Sequence, residues 1–168
     1  MIDTSYIQSC SQEERFYPEE LPRFLYEPLK KYFQIVHSSD YGDGIISLTS
    51  FQPGEIVFKF VGWFLNEQTL FSLQYETGMY LHDPFFMGKV LHSCDPNMGC
   101  DMSTQTFTAL RQIRTFELLT MDYETTEDVL FRGFWCECGS PSCKGWIEGK
   151  KYRQDVNSGI IEPNLKEG

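Results

Sequence analysis

The chain has 168 residues and a formal net charge of -10, a length that fits one domain, or two only if both are small. Its 41% hydrophobic and 15% aromatic content fills a core and excludes global disorder, while 14 Phe and 9 Tyr point to a strand-rich interior. The acidic balance argues against direct nucleic-acid binding, which needs basic surface to displace counterions; it suits a Lys/Arg-rich partner or plain solubility.

The segment Met1 to Tyr6 has neither a basic n-region nor an apolar h-region, so a soluble, intracellular protein, cytoplasmic or nuclear, is expected. Residues 1–32 are polar and Glu-rich, punctuated by Pro18, Pro22 and Pro28. They form an N-terminal extension expected to pack loosely, with a short helix near Leu21 to Phe33 that Pro28 interrupts. Ile45 to Leu48 reads as a strand and Pro53-Gly54 as a turn. Glu55 to Leu65 reads as one strand with Ile56, Phe58 and Phe60 on one face. Within that stretch Lys59 breaks the most apolar run, which leaves nothing of membrane-spanning length. Asn66 is placed to cap a short helix through Leu73. Further strands are expected at Phe107 to Leu110 and Leu118 to Met121, and the tail beyond Tyr152 is expected to fray. Short strands with long loops make this a mostly β protein.

Three of six cysteines lie in Cys136-Glu137-Cys138-Gly139-Ser140-Pro141-Ser142-Cys143. A C-x-C-x4-C run on a tight Gly/Ser/Pro loop offers three thiolates to a small ion, and tetrahedral zinc needs a fourth. Cys94, in Leu91-His92-Ser93-Cys94-Asp95-Pro96-Asn97, is the best candidate. Such a site would convert binding energy, about 10 kcal/mol or more for structural zinc, into folding energy. The competing readings are buried free thiols or disulfides. Cysteines one residue apart pair poorly, however, and nothing else suggests export. Cys10 and Cys100 read as ordinary thiols.

These motifs occur in a fixed order. Gly42-Asp43-Gly44 is followed by Pro53-Gly54-Glu55-Ile56, Phe60-Val61-Gly62 and Leu91 to Asn97, then by Glu117-Leu118-Leu119-Thr120-Met121-Asp122-Tyr123 and the cysteine loop. The set resembles the SET-domain protein-lysine methyltransferases with a post-SET zinc loop, of the small single-domain type, from about Phe33 to about Gly149. The resemblance implies a SET domain at 33–130, a post-SET zinc loop at 131–150 and a tail at 151–168. The fold would be several small sheets with a knot-like threading and few short helices. It further implies transfer of a methyl group from S-adenosyl-L-methionine to a lysine of a protein or peptide, basic and histone-like, and one structural Zn2+ on Cys94, Cys136, Cys138 and Cys143.

Carried over residue by residue, Gly42, Asp43 and Gly44 would offer backbone groups to the cofactor, although alone they read as a turn. Leu91 and His92 would lie along its adenosine, although an isolated histidine is more often a satisfied core residue. Phe134 and Trp135 would wall the adenine or else pack beneath the zinc loop. Asn97 would brace its loop, as would Glu117 and Asp122. Tyr123 would orient the reacting amine from the inner end of the lysine channel, and Tyr80 would line that channel. The chain departs from the family at Leu91, where an asparagine amide is usual; leucine cannot hydrogen-bond, so weaker cofactor binding is expected. Phe60, Met121 and Phe116 are further departures. A SET-fold binding module without turnover, or a methyltransferase acting on a small-molecule amine, are the alternatives.

Overall fold

A hairpin precedes the first sheet. In the computed structural model, which describes residues 11–166, β1 (Phe33–Ser38) turns through Asp40 and Tyr41 into β2 (Gly42–Ser47), with Phe33 opposite Ser47 and Ser38 opposite Gly42. Gly42 takes φ 76° at the turn, a conformation that favours glycine. Two three-stranded sheets follow. One is ordered β3-β9-β8, from β3 (Ile56–Lys59), β8 (Met98–Asp101) and β9 (Thr106–Ala109). The other is ordered β4-β6-β5, from β4 (Trp63–Leu65), β5 (Ser72–Glu76) and β6 (Met79–His82). Two small pairs complete the set: β7 (Leu91–His92) parallel to β10 (Thr120–Met121), and β11 (Phe134–Trp135) antiparallel to β12 (Trp146–Ile147). Helix α1 spans Lys150–Asn157. No helix of the described residues is long and apolar enough to cross a membrane.

The mostly β reading holds, with four local corrections. Glu55 to Leu65 is not one strand but β3 and β4, in different sheets. At Gly62 the chain crosses so close to β6 that a Cβ would lie 2.2 Å from the His82 carbonyl oxygen, so the strand has to leave one sheet before entering the next. Its apolar face is also altered by a register shift between Ile56 and Phe58, which leaves Ile56 half-buried while Val57 joins Phe58 and Phe60 in the core. The helix expected after Asn66 is absent, because Leu73 and Gln74 pair with Leu81 and Tyr80 in β5–β6. No helix forms between Leu21 and Phe33 either; turns around Pro22 and Pro28 carry that segment. The tail does not fray after Tyr152, since that residue lies inside α1.

The extension is not loosely packed where it is described. Tyr17 is buried and donates its hydroxyl to Asp83 Oδ2 at 2.6 Å, and the Arg15 guanidinium meets Glu27 at 2.5 Å. Cys10 lies outside the described residues. Behind the extension an aromatic core forms from Phe33, Phe58, Phe86 and Phe107, with ring centroids 4.7–5.3 Å apart along Phe33–Phe86–Phe58–Phe107. Two of these pairs are edge-on and Phe58–Phe107 is stacked, arrangements that add to the burial they already represent.

Candidate active site and metal centre

Asn97 organises the region where β7 and β10 run side by side. Its buried side chain donates to the Leu118 carbonyl (2.8 Å) and Glu117 (3.1 Å) and accepts from the Thr120 amide (2.9 Å). A hydrogen-bonded amide in a core fixes the register of the two segments that share it. Glu117 also accepts from Arg111 (2.5 Å) and the Arg114 amide (2.9 Å). Asn97 and Glu117 therefore brace the fold, in the sense expected of them.

Beyond β10 the chain makes a 3-10 turn, Tyr123–Thr125, capped by Asp122, whose carboxylate accepts from the Glu124 amide (3.1 Å). The Tyr123 amide donates to His92 Nδ1 at 3.1 Å. That nitrogen must be the acceptor, so the neutral ring carries its proton on Nε2, which faces Cys94 Sγ at 3.4 Å. Burial lowers the His92 pKa to about 4, against the opposing pull of Asp122, and this favours the neutral ring. The Tyr123 hydroxyl donates to the Val90 carbonyl at 2.6 Å. Burial raises its pKa and the Glu127 charge raises it further, which keeps the phenol protonated. His92, Tyr123 and Phe134 form one aromatic group, with centroids 5.2, 5.6 and 6.1 Å apart.

The four thiols of Cys94, Cys136, Cys138 and Cys143 converge, all sulfurs lying within 4.8 Å of one another. A tetrahedral ion with metal–sulfur bonds of about 2.3 Å requires sulfurs about 3.8 Å apart; Cys94 and Cys136 are 3.7 Å apart. The loop closes through Cys136 N–H to the Gly145 carbonyl (2.8 Å) and Cys143 N–H to the Ser140 carbonyl (3.0 Å). The Lys144 amide adds a hydrogen bond to Cys94 Sγ (3.3 Å). Soft donors at this spacing fit a thiophilic dication.

Lys144 also reaches back. Its ammonium donates to Asp122 Oδ2 (2.5 Å) and Glu124 Oε2 (3.1 Å), on either side of Tyr123. Arg153 of α1 grips the same Glu124 (3.0 and 3.2 Å) and the Trp146 carbonyl (2.6 Å). The Tyr123 turn is thus held from the cysteine loop on one side and through His92 on the other. Sequence reasoning missed Lys144 and Arg153; adjacency to Cys143 was a signal for the first, and none marked the second.

A cavity of about 590 Å³ is lined by Leu91, His92, Tyr123, Phe134 and Trp135, with Cys136 and Cys138 at one edge. Its size is that of a small-molecule site. Gly42, Asp43 and Gly44 do not line it; Asp40 and Tyr41, just before them, do. A Cβ on Gly44 would meet Leu91 Cδ1 at 3.0 Å and Leu118 Cδ1 at 3.1 Å, so the glycine makes room for two side chains that line the cavity. Asp43 is occupied by Lys89 (2.7 Å) and His37 (2.9 Å), whose hydrogen bonds hold its carboxyl low. Nor is Tyr80 at the cavity wall; it sits mid-β6 between Leu65 and Gln74, where alternation sends its neighbour Leu81 into the core. Glu127, which sequence reasoning did not single out, does line it.

No family model matches the chain. Among curated proteins it is 30% identical over 147 residues to the histone-lysine N-methyltransferase EHMT1 of Homo sapiens, covering 73% of this chain and 11% of that protein. It is 26% identical over 171 residues to the histone-lysine N-methyltransferase ash1 of Drosophila melanogaster, covering 86% of this chain and 7% of that one. The methyltransferase flvH of Aspergillus flavus is 35% identical over 72 residues, which is 42% of this chain and 39% of flvH. The chain therefore spans well under half of each of these relatives. Among solved structures, KRYPTONITE in complex with mCHG DNA and SAH superposes with a TM-score of 0.57 at 18% identity, covering 74% of this chain and 29% of that one. KRYPTONITE with mCHH DNA, H3(1-15) peptide and SAH gives 0.57 at 17%, covering 74% and 30%. With the motif order, the braced β7–β10 crossing and the converged cysteines, these likenesses make the chain a SET-domain protein.

Proposed function

We propose that the chain is a methyltransferase that uses S-adenosyl-L-methionine to methylate lysine side chains of a basic, histone-like protein. The observation that carries this reading is the placement of the Tyr123 phenol, with His92 and Phe134, on one cavity whose edge is formed by the cysteine loop. Relatives named as histone-lysine N-methyltransferases and a neighbour solved with an H3(1-15) peptide support it. So does the charge of -10, which attracts basic chains and disfavours direct contact with nucleic acid.

S-adenosyl-L-methionine would supply an electrophilic methyl on a cationic sulfur. What the chain must do is present a neutral amine to it, against a lysine pKa of about 10.4. A cavity walled by Leu91, Tyr123, Phe134 and Trp135 fixes the approach of the amine, and desolvation at that apolar wall favours loss of the proton from an ammonium that has entered. Tyr123, kept protonated by burial, orients the amine without itself ionising. Leu91, His92, Phe134 and Trp135 would hold the adenosine. One Zn2+ on Cys94, Cys136, Cys138 and Cys143 would close the loop over the cavity edge, acting on structure rather than on chemistry. The division into a SET domain at 33–130 and a post-SET loop at 131–150 belongs to this same reading.

The test is incubation of the zinc-loaded protein with labelled cofactor and a panel of basic proteins and peptides, followed by mass spectrometry. Methyl increments on lysine that vanish in Tyr123→Phe, with cofactor binding retained, are expected; increments on another residue type, or none on any substrate, would overturn it. The second reading, a SET-fold binding module with weak turnover, is favoured by one feature, the apolar Leu91 packed on Gly44. Cofactor binding without label transfer would select it.

A further inference from the structure

Four carboxylates are buried among the described residues: Glu27, Asp83, Glu124 and Glu127. A buried carboxylate is costly unless it is paired or richly hydrogen-bonded. Glu27 has Arg15, and Glu124 has Lys144 and Arg153. Asp83 takes the Tyr17 hydroxyl and three backbone amides, from Phe85, Phe86 and Met87. Glu127, with only 2% of its surface exposed, accepts from the Gln74 amide (2.7 Å), the Gln68 side-chain amide (2.8 Å) and the Thr126 side chain, all neutral donors. Among the described residues it makes no ion pair: Lys150, whose amide bonds the Glu127 carbonyl, directs its ammonium to Asp128 (3.7 Å), and Arg132 at the cavity rim is exposed. Glu127 is also the only one of the four that lines the cavity.

We propose that Glu127 receives the cationic end of the substrate, an alkylammonium entering the cavity beside Tyr123. This rests on the amine-methylating reading above and names the residue that recognises the amine. The Glu127 amide donates to the Tyr123 carbonyl at 2.9 Å, so the two residues are one backbone turn apart, and both line the cavity. A carboxylate offers about four acceptor directions, and Gln74, Gln68 and Thr126 use three, so one remains for an N–H donor. The wall nearby is apolar, with Leu73, Leu130 and Phe131, and in such surroundings the attraction between opposite charges is strong. Burial raises the Glu127 pKa, against the hydrogen bonds from Gln74 and Gln68; a cation in the cavity would relieve that cost. The recognition is a hydrogen-bonded ion pair, and no bond is made or broken in it.

The test compares binding of short lysine peptides with norleucine counterparts, which keep the shape and lack the charge. S-adenosylhomocysteine occupies the cofactor site so that no turnover intervenes. Wild type should prefer the lysine peptide by roughly tenfold or more, the scale of a hydrogen bond to a charged group. Glu127→Gln should erase that preference while cofactor affinity and melting temperature hold. A preference retained in Glu127→Gln overturns the assignment and leaves the methyltransferase reading standing. No preference in wild type, with peptide bound, also overturns the assignment; the methyltransferase reading falls only if no lysine is labelled in the transfer assay. If Glu127→Gln does not fold, Glu127→Asp keeps the charge on a shorter arm: a severalfold weaker lysine preference supports the proposal, and an unchanged one refutes it. The fragment n-butylammonium, against n-butanol, gives the same comparison if no peptide is labelled in the transfer assay.

Discussion

Replacing Lys144 by methionine keeps the length of the side chain and removes its charge. In the native protein the Lys144 ammonium spans Asp122 and Glu124, whose side chains are only 13% and 3% exposed. Hydrogen bonds to charged groups contribute about 1.5–3 kcal/mol each in such surroundings, but neither carboxylate is left bare. Glu124 keeps the Arg153 fork, and Asp122 keeps the Glu124 amide. The expected loss is therefore about 2 kcal/mol rather than the sum of two full interactions. For a chain of this size that lowers the melting temperature by about 4–8 °C. Urea unfolding of the zinc-loaded protein should show a lower midpoint with an unchanged slope. A double-mutant cycle with Glu124→Gln isolates the pair, and a coupling of about 1 kcal/mol or more is expected. Because Asp122 and Glu124 flank Tyr123, turnover should fall by about tenfold, more than cofactor affinity does. Additivity within about 0.3 kcal/mol in the cycle, or turnover unchanged in a folded variant, would refute the claim that Lys144 positions the turn.

Three further outcomes follow from the same geometry. Gly149→Ala should cost about 2 kcal/mol or more, because Gly149 holds φ 121° and a Cβ would lie 2.6 Å from the Asp128 carbonyl oxygen. Gly139→Ala, at φ 71° with nothing within 4 Å, should cost about 1 kcal/mol, so denaturation midpoints should separate the two. Leu91→Asn should tighten S-adenosyl-L-methionine binding by about tenfold in a direct titration by supplying the missing amide, at some cost in packing against Gly44 and Leu118. Partial burial pushes Glu117 up, but hydrogen bonds from the Arg114 amide, Asn97 and Arg111 outweigh it and hold its carboxyl below 4.5. The stability it contributes is present above the unfolded value and is lost as the pH falls through the lower folded one. The gap between wild type and Glu117→Gln should accordingly narrow in acid, as followed by denaturation against pH.

What the sequence made legible was what local spacing encodes. Cys136, Cys138 and Cys143 share a tight loop, so their convergence follows from covalent reach, and Cys94 was placed by its position in a recognisable motif. Asn97 was legible, as a brace for its loop, through its place in the Leu91 to Asn97 motif. The division of Glu55 to Leu65 was not, because it depends on Gly62 meeting the His82 carbonyl, a contact twenty residues away in sequence. The contact of Gly44 with Leu91 and Leu118 was not legible either, because those residues lie far along the chain from the glycine motif. Nor does any pattern reveal that Glu127 lacks a cation, since that depends on where Lys150 and Arg132 point. Arg153, in a tail expected to fray, was hidden because its partner Glu124 lies on the far side of the cysteine loop in sequence.

The connections around Tyr123 give the cysteine cluster a meaning beyond stability. His92 stands two residues before the first cysteine and binds the Tyr123 amide, and Lys144 stands one residue after the last and binds the carboxylates beside it. Each link is short and polar, and both end on the same 3-10 turn. The aromatic core of Phe33, Phe58, Phe86 and Phe107 contributes no residue to either link. Core packing fixes the sheets, and the turn that carries the phenol is held both by its own core contact and Val90 hydrogen bond and by these two links to the cysteine cluster. A change confined to the cysteine loop thus reaches the cavity without disturbing the core, because the residues that join them are the immediate neighbours of the ligands.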